Sequence, residues 1–263
     1  MKSSNHWYTH AGAACYQVPY ADPSKGMRST TLADARKLNL LPSVTTITKT
    51  LAAPSLIEWL RREAALAVVT TPRHPDEPLD DFVERCLAVD AEATADAAKQ
   101  LGSDIHDAIE KVLSGKMHFV DEPFNLNFLQ PACTEVAKAG YVSATEKILV
   151  GGGYAGKTDC ITENDEAITV FDFKTTGAKK LPKKSYFEHL MQTAAYAKAL
   201  GNVGNKRIRT ANIYISTTRP GEISVCTQDD WDKSFRAFEL CKELWQIQNN
   251  YQPTPEAGFD LTP

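Results

Sequence analysis

The sequence predicts a mixed α/β (α+β) protein, with a helical first half and then elements in the order β-β-β-α-β-α. Three observations carry this. From Leu79 to Leu113 the chain is rich in alanine and charge and free of proline, as a long helix requires. At Tyr141 the texture changes: "YVSATEKILV", "YAGKTDCITE" and "EAITVFDFKTT" are β-branched runs parted by "GGG" and "END". Beyond them, "SYFEHLMQTAAYAKAL" and "TQDDWDKSFRAFELCKELWQIQNNY" are helical patterns on either side of one strand, "IRTANIYISTT".

Taken in order, residues 1–42 read as irregular, with glycine, proline and scattered aromatics. "LPSVTTITKTL" opens a helical region with Ser43 as its N-cap. "APSLIEWLRREAALAVV" continues it, with Leu56, Leu60 and Ala64 on one stripe. Residues 71–78, "TPRHPDEP", form a loop, since three prolines break any helix. One or two helices fill 79–113, and another covers about 125–139. The β-branched runs make an antiparallel meander, and the last helix is capped near Thr227 or Asp229. The expected division is a mostly helical region, 1–140, and a core, 141–263, packed as one unit.

The chain has 263 residues, 43% of them hydrophobic, enough for one sizeable core or a core with an appended lobe. A formal net charge of -4 confines any nucleic-acid contact to a local patch. No apolar run reaches membrane-spanning length, and "MKSSNHWYTH" lacks the apolar centre of a signal peptide, so the expected address is the cytoplasm with no membrane partner. Cys15, Cys86, Cys133, Cys160, Cys226 and Cys241 form no C-x-x-C pair, which points to free thiols rather than a zinc or iron–sulfur site.

"GGGYAGKT" fits the pattern of a phosphate-binding loop. Such a loop needs a helix behind it, because the helix N-terminus supplies the free N–H groups that hold phosphate. Here strand-like sequence follows, and the 14 residues between Lys157 and Asp172 already contain a turn and two strands. ATP is therefore not expected. A two-residue turn at Asn164 and Asp165 pairs Glu163 with Glu166 and sets Asp159 opposite Val170. Residues directly opposed or two apart share a sheet face, so Asp159, Asp172 and Lys174 point the same way. Two carboxylates and an amine suit a hard divalent cation, which keeps several waters and engages phosphate oxygens; the lysine would orient water or stabilise charge on phosphorus. An exposed "DFK" edge is the plainer alternative. Lys157, two residues from Asp159, either faces the same site or is an exposed lysine.

"GYAGKTDCI", "VFDFKTT" and "HLMQTAAYAKAL", in that order, resemble the nuclease core of RecB-type enzymes in the PD-(D/E)xK superfamily. "LGSDIHDAIE" resembles the upstream helix whose histidine is a further ligand, and "LPSVTTI" with "IEWLRREAA" resembles the N-terminal region of phage-encoded exonucleases and the mitochondrial genome maintenance exonuclease. The resemblance implies a restriction-endonuclease-like core, a mixed central sheet flanked by helices, with an N-terminal helical lobe. It implies Mg²⁺ or Mn²⁺, one or two ions, on His106, Asp159, Asp172 and the Phe173 carbonyl, with Glu146 a candidate further ligand. Lys174 and Gln192 would join Asp159 and Asp172 in catalysis. Tyr196 would meet a phosphate or base, and Ser43 would contact DNA. Read from spacing alone, Gln192 and Tyr196 share a helix face, and Tyr196 could equally be core.

Lys174 and Lys179, Lys180, Lys183 and Lys184 form a basic run that could draw in a phosphate backbone or be a solvated loop. Eight acids against Arg85 between 76 and 96 mark a face turned from DNA. Trp59 lies beside Arg61 and Arg62 on an early helix, as core or as a base-stacking ring. The expected function is a metal-dependent DNA exonuclease on single strands or DNA ends, in a bacterial or phage-infected cell. Phage recombination contexts suggest a single-strand annealing or single-strand-binding partner. A structure-selective endonuclease and a non-catalytic nucleic-acid-binding module are the alternatives.

Overall fold

The computed structural model describes residues 6–51, 54–116 and 126–254. Short elements come first: β1 (Trp7–Tyr8), β2 (Gln17–Pro19), β3 (Met27–Ser29), α1 (Leu32–Leu38), β4 (Leu41–Pro42) and α2 (Val44–Thr48). Long helices follow: α3 (Pro54–Thr70), α4 (Leu79–Leu113) and α5 (Leu126–Ala139). The remainder is β5 (Tyr141–Gly151), β6 (Tyr154–Glu163), β7 (Ala167–Thr176), α6 (Phe187–Ala199), β8 (Arg207–Ser216), β9 (Ile223–Gln228) and α7 (Asp232–Asn249).

The central sheet has five strands in the order β5-β6-β7-β8-β9. Only β7 and β8 are parallel, because α6 carries the chain across between them. Alternation sorts the side chains to two faces. Leu149, Tyr154, Ile161 and Val170 pack with α6, α7 and the N-terminal segment, against Met191, Phe238, Trp245 and Trp7. Cys160, Phe171, Phe173, Ala211 and Ile213 pack on α4 and α5, against Ile105, Ile109, Leu129 and Val136. This is the predicted mixed sheet flanked by helices. The helix over 79–113 is a single one of 35 residues, about 50 Å long.

Residues 6–42 hold more regular structure than expected. β1 pairs with β4, and β2 with β3; strands of two or three residues are too short to show alternation. Thr31 and Asp34 form a capping box at the start of α1, a signal present in the sequence. Ser43 caps α2 as expected, accepting from Thr46 N–H. A fifth strand, β9, was not anticipated, and α7 accordingly starts later, after Trp231 rather than near Thr227 or Asp229. The side chains of Leu56, Trp59 and Leu60 on α3, and of the acids at 90, 92 and 96, lie outside the described residues; Arg61 and Arg62 are exposed. All six cysteines are unbridged. Among the described residues no helix is long and apolar enough to cross a membrane.

The first and last described segments meet. Trp7 lies edge-on to Trp245 and to Tyr251, with ring centroids 6.0 and 6.2 Å apart. Tyr251 Oη donates to the Leu40 carbonyl at 2.7 Å, and Asn39 and Thr254 exchange two hydrogen bonds of 3.0 Å. Ser43 and Ala155 form a parallel bridge that ties the N-terminal segment to β6.

The β6–β7 connection differs from the predicted two-residue turn. Glu163 pairs with Ile168, not Glu166. Asn164 causes this: its Oδ1 accepts the N–H groups of both Glu166 and Ala167, at 2.9 and 2.8 Å, and lengthens the loop. The register moves by two residues, and an even shift keeps every side chain on its predicted face. Replacing Asn164 with Ala orphans both N–H groups. We expect a loss of about 1–2 kcal/mol, read as a lower urea midpoint at unchanged slope.

Candidate active site

β6 and β7 stop pairing at Cys160–Phe171, while β7 and β8 stay paired to Thr176–Ser216. Beyond that point the two strands fork, and side chains replace the backbone ladder. Thr158 Oγ1 donates to the Phe171 carbonyl at 3.1 Å, and Asp159 Oδ2 accepts the Phe173 N–H at 2.6 Å. In an extended strand the N–H and C=O of one residue face the same edge. The Phe173 carbonyl therefore points into the fork as well.

Asp172 is 2% exposed and held on all sides. Its Oδ1 accepts Gln192 Nε2 at 2.8 Å, and its Oδ2 lies 2.7 Å from Lys174 Nζ and 3.4 Å from Asn212 Nδ2. Gln192 Nε2 also donates to Tyr196 Oη at 3.0 Å, since residues four apart on α6 share a face. His106, on α4, brings Nδ1 to 3.7 Å from Asp159 Oδ2, and its ring sits edge-on to Phe173. The predicted set of His106, Asp159, Asp172, Lys174, Gln192 and Tyr196 thus gathers in one place.

Two glycines permit this. A Cβ at Gly102 would lie 2.7 Å from Thr175 Oγ1, so glycine lets α4 approach β7 one turn before His106. A Cβ at Gly156 would lie 2.5 Å from the Tyr196 ring and 3.1 Å from Val44. The glycine of "AGKT" therefore serves helix packing. Gly152 and Gly153 form the β5–β6 turn and Thr158 lies within β6, so the helix a phosphate loop needs does not follow.

The electrostatics are divided between the two acids. Burial pushes Asp172 above the usual carboxylate range; Lys174 opposes this and Asp159 adds to it. Burial also works against the Asp159 charge, but His106, Lys174 and the Phe173 N–H outweigh it and hold Asp159 below that range. Burial lowers His106, but Asp159 more than offsets this and leaves its pKa raised. Two carboxylates pulled in opposite directions behave as adjacent acids sharing one site.

Of the other predicted residues, Lys157 and Ser43 line the same cleft. Lys157 is ion-paired to Glu146. Glu146 stands at φ +50°, a left-handed conformation rare for a residue with a Cβ. The ladder sets it level with Asp159, between Thr145–Cys160 and Lys147–Thr158. Ser43 is buried, its hydroxyl occupied by the α2 cap and by Thr46 Oγ1 at 2.8 Å. Lys179, Lys180, Lys183 and Lys184 lie on the exposed connector from β7 to α6, off the cleft walls.

The cleft, about 300 Å³ in volume, also has walls that sequence reasoning missed. His6, Tyr8, Tyr16 and Thr45 line it. Asn212 was missed too; its register opposite Asp172 on β8 brings it to the carboxylate. Asn212 Oδ1 in turn accepts from Ser185 Oγ at 2.9 Å. A second, open depression of about 420 Å³ beside α5 carries only Glu135 among titratable groups.

Among the described residues no three His, Cys, Asp or Glu side chains converge closely enough to cage an ion alone. Mg²⁺ does not need such a cage, since it binds through one or two carboxylates and keeps its waters. Asp159, Asp172 and the Phe173 carbonyl are hard oxygen donors and fit that demand. The 3.7 Å between His106 Nδ1 and Asp159 Oδ2 is too long for a hydrogen bond, and an imidazole at that place would be a further donor to an ion held by the oxygens.

Nearby, His189 Nδ1 meets Tyr214 Oη at 2.8 Å. Burial, with Lys174 adding, lowers His189 from 6.5 to about 3. Between those values the unfolded chain binds a proton that the folded chain refuses, so stability falls as pH drops below about 6.5 and stops falling near 3. Urea titrations should show His189→Gln losing less stability than the parent between about pH 7 and pH 5, by on the order of 1 kcal/mol after solvent screening.

No curated protein matches the chain. A solved structure titled "Crystal structure of SSO0001" is similar over 72% of this chain and 86% of that one, at 18% identity and a TM-score of 0.31. Residues 133–258, which contain Asp159, Asp172, Lys174, Gln192 and Tyr196, match the family model described as the PD-(D/E)XK nuclease superfamily.

Proposed function

We propose that the protein is a metal-dependent DNA exonuclease that hydrolyses phosphodiester bonds in single strands or at DNA ends. One observation carries the reading: two carboxylates, one lysine and a strand carbonyl meet at the fork of β6 and β7, inside the stretch that matches the nuclease-superfamily model. Asp159, Asp172, the Phe173 carbonyl and His106 would hold Mg²⁺ or Mn²⁺, the imidazole favouring Mn²⁺. Such an ion, when bound, supplies positive charge to the phosphate and a water of lowered pKa.

The remaining work belongs to the chain's own groups. Lys174 Nζ, 2.7 Å from Asp172 and a quarter exposed, orients a water at its ammonium and faces the negative charge that develops on phosphorus. Gln192 and Asn212 fix the Asp172 carboxylate, and Tyr196 fixes Gln192. Their contribution is positioning. Lys157 and the lysines of the 179–184 connector would draw in the phosphate backbone, with salt-dependent affinity.

End-labelled single strands, duplexes and circles, digested with Mg²⁺, Mn²⁺ or EDTA, test the reading. Linear single strands should be shortened from an end, circles spared and EDTA inhibitory. Cleaved circles would instead make the enzyme an endonuclease, and no cleavage with either metal would remove the reading.

Asp159→Ala, Asp172→Ala and Lys174→Ala should each lower kcat by at least ~100-fold; near-parental rates would show that the roles are misassigned. His106→Ala should lower kcat by roughly 10-fold or more while circular dichroism stays unchanged. An unaltered rate would detach His106 from the chemistry.

A further inference from the structure

We propose that the stacked rings of His6 and Tyr16 are a platform for one unpaired nucleobase, next to the phosphate at Asp159 and Asp172. The inference rests on the nuclease reading above and specifies its substrate. The two rings lie 4.5 Å apart at 27°, and both line the cleft whose floor holds the carboxylates. They belong to neither of the two large hydrophobic clusters; Tyr16 leans at the edge of a small one made by Tyr8, Leu41 and Ala155. His6 is exposed and Tyr16 half-buried, so the pair presents aromatic surface to the cleft.

The platform is rigid before any ligand arrives. Tyr16 Oη donates to Tyr8 Oη at 2.8 Å, and the Tyr8 ring stands edge-on at 5.6 Å. Tyr8 is buried on β1, paired across to Leu41. The His6 carbonyl accepts from Ser43 N–H, and the Tyr16 carbonyl from Thr30 N–H, each at 3.0 Å. A group already fixed loses little entropy on binding.

The neighbouring chemistry selects the ligand. A phosphate on the floor brings its own nucleoside with it, and every base offers a flat face to an aromatic ring. A base within a duplex has both faces stacked and cannot use the platform without being extruded. The cleft, about 300 Å³, has room for a single nucleotide beside the carboxylates. The platform therefore favours unpaired nucleotides with little regard to which base is present.

The test is cleavage of a single strand carrying one abasic position, walked across the scissile bond. At one position the abasic strand should raise KM by ~10-fold, with kcat nearly unchanged, the size expected for one lost stacking contact. Tyr16→Ala should raise KM on the intact strand by a similar factor and erase the abasic penalty, because both changes remove the same contact. Tyr16→Phe keeps the ring and should stay within about 3-fold of the parent. An unchanged KM in Tyr16→Ala, or an abasic penalty that persists there, overturns the platform while leaving the nuclease reading intact. If the parent protein cuts nothing, the nuclease reading falls and binding decides the platform. A 2-aminopurine single strand in EDTA should then be quenched by the parent and not by Tyr16→Ala. Equal quenching by both, or by neither, overturns it.

Discussion

The fork between β6 and β7 is the constraint on which the site depends. Where the backbone ladder ends, the Phe173 N–H would be left without a partner in a largely buried place. Asp159 supplies that partner at 2.6 Å. One carboxylate oxygen thus completes the sheet, and the other remains for the cleft. The same fork turns the Phe173 carbonyl inward and leaves Asp172 beside it, reached from the far side by Gln192 and Asn212. The widening of two strands converts a sheet edge into a concave, oxygen-rich floor.

Charge on that floor is unevenly shared. Lys174 touches Asp172, whereas Asp159 looks toward His106. Asp172 lies deeper and resists ionisation; Asp159 keeps its charge more readily. An arrangement of this kind is costly for a buried pair unless a cation accompanies it. Lys174 and His106 meet part of that cost, and the cation of the proposed function would meet the rest.

Much of the floor was legible in the sequence because it is local. Asp159, Asp172 and Lys174 lie within 16 residues of one another, and strand alternation fixes their common face even when the turn is misjudged. Asn164 moved the register, and only the even size of the shift preserved the reading. Gln192 and Tyr196 follow from helical spacing. The walls are another matter. His6, Tyr8 and Tyr16 reach the cleft through β1, β4 and the Ser43–Ala155 bridge, pairings too short to leave a pattern and too distant to be anticipated. β9 is a six-residue edge strand whose last two residues overlap the helical pattern expected from Thr227. Glu146 shows a further limit, since nothing in "SATEKIL" announces a left-handed residue.

The clasp behind the cleft wall has a consequence for the order in which the fold settles. The segment that carries His6 and Tyr16 is held by Trp245, Tyr251 and Thr254, and the Leu40–Tyr251 contact alone spans 211 residues. A contact between such distant segments closes a long loop, whose entropy is lost before the contact repays it. The floor is built from strands close in sequence and needs no such closure, so it takes shape ahead of the wall that stands over it.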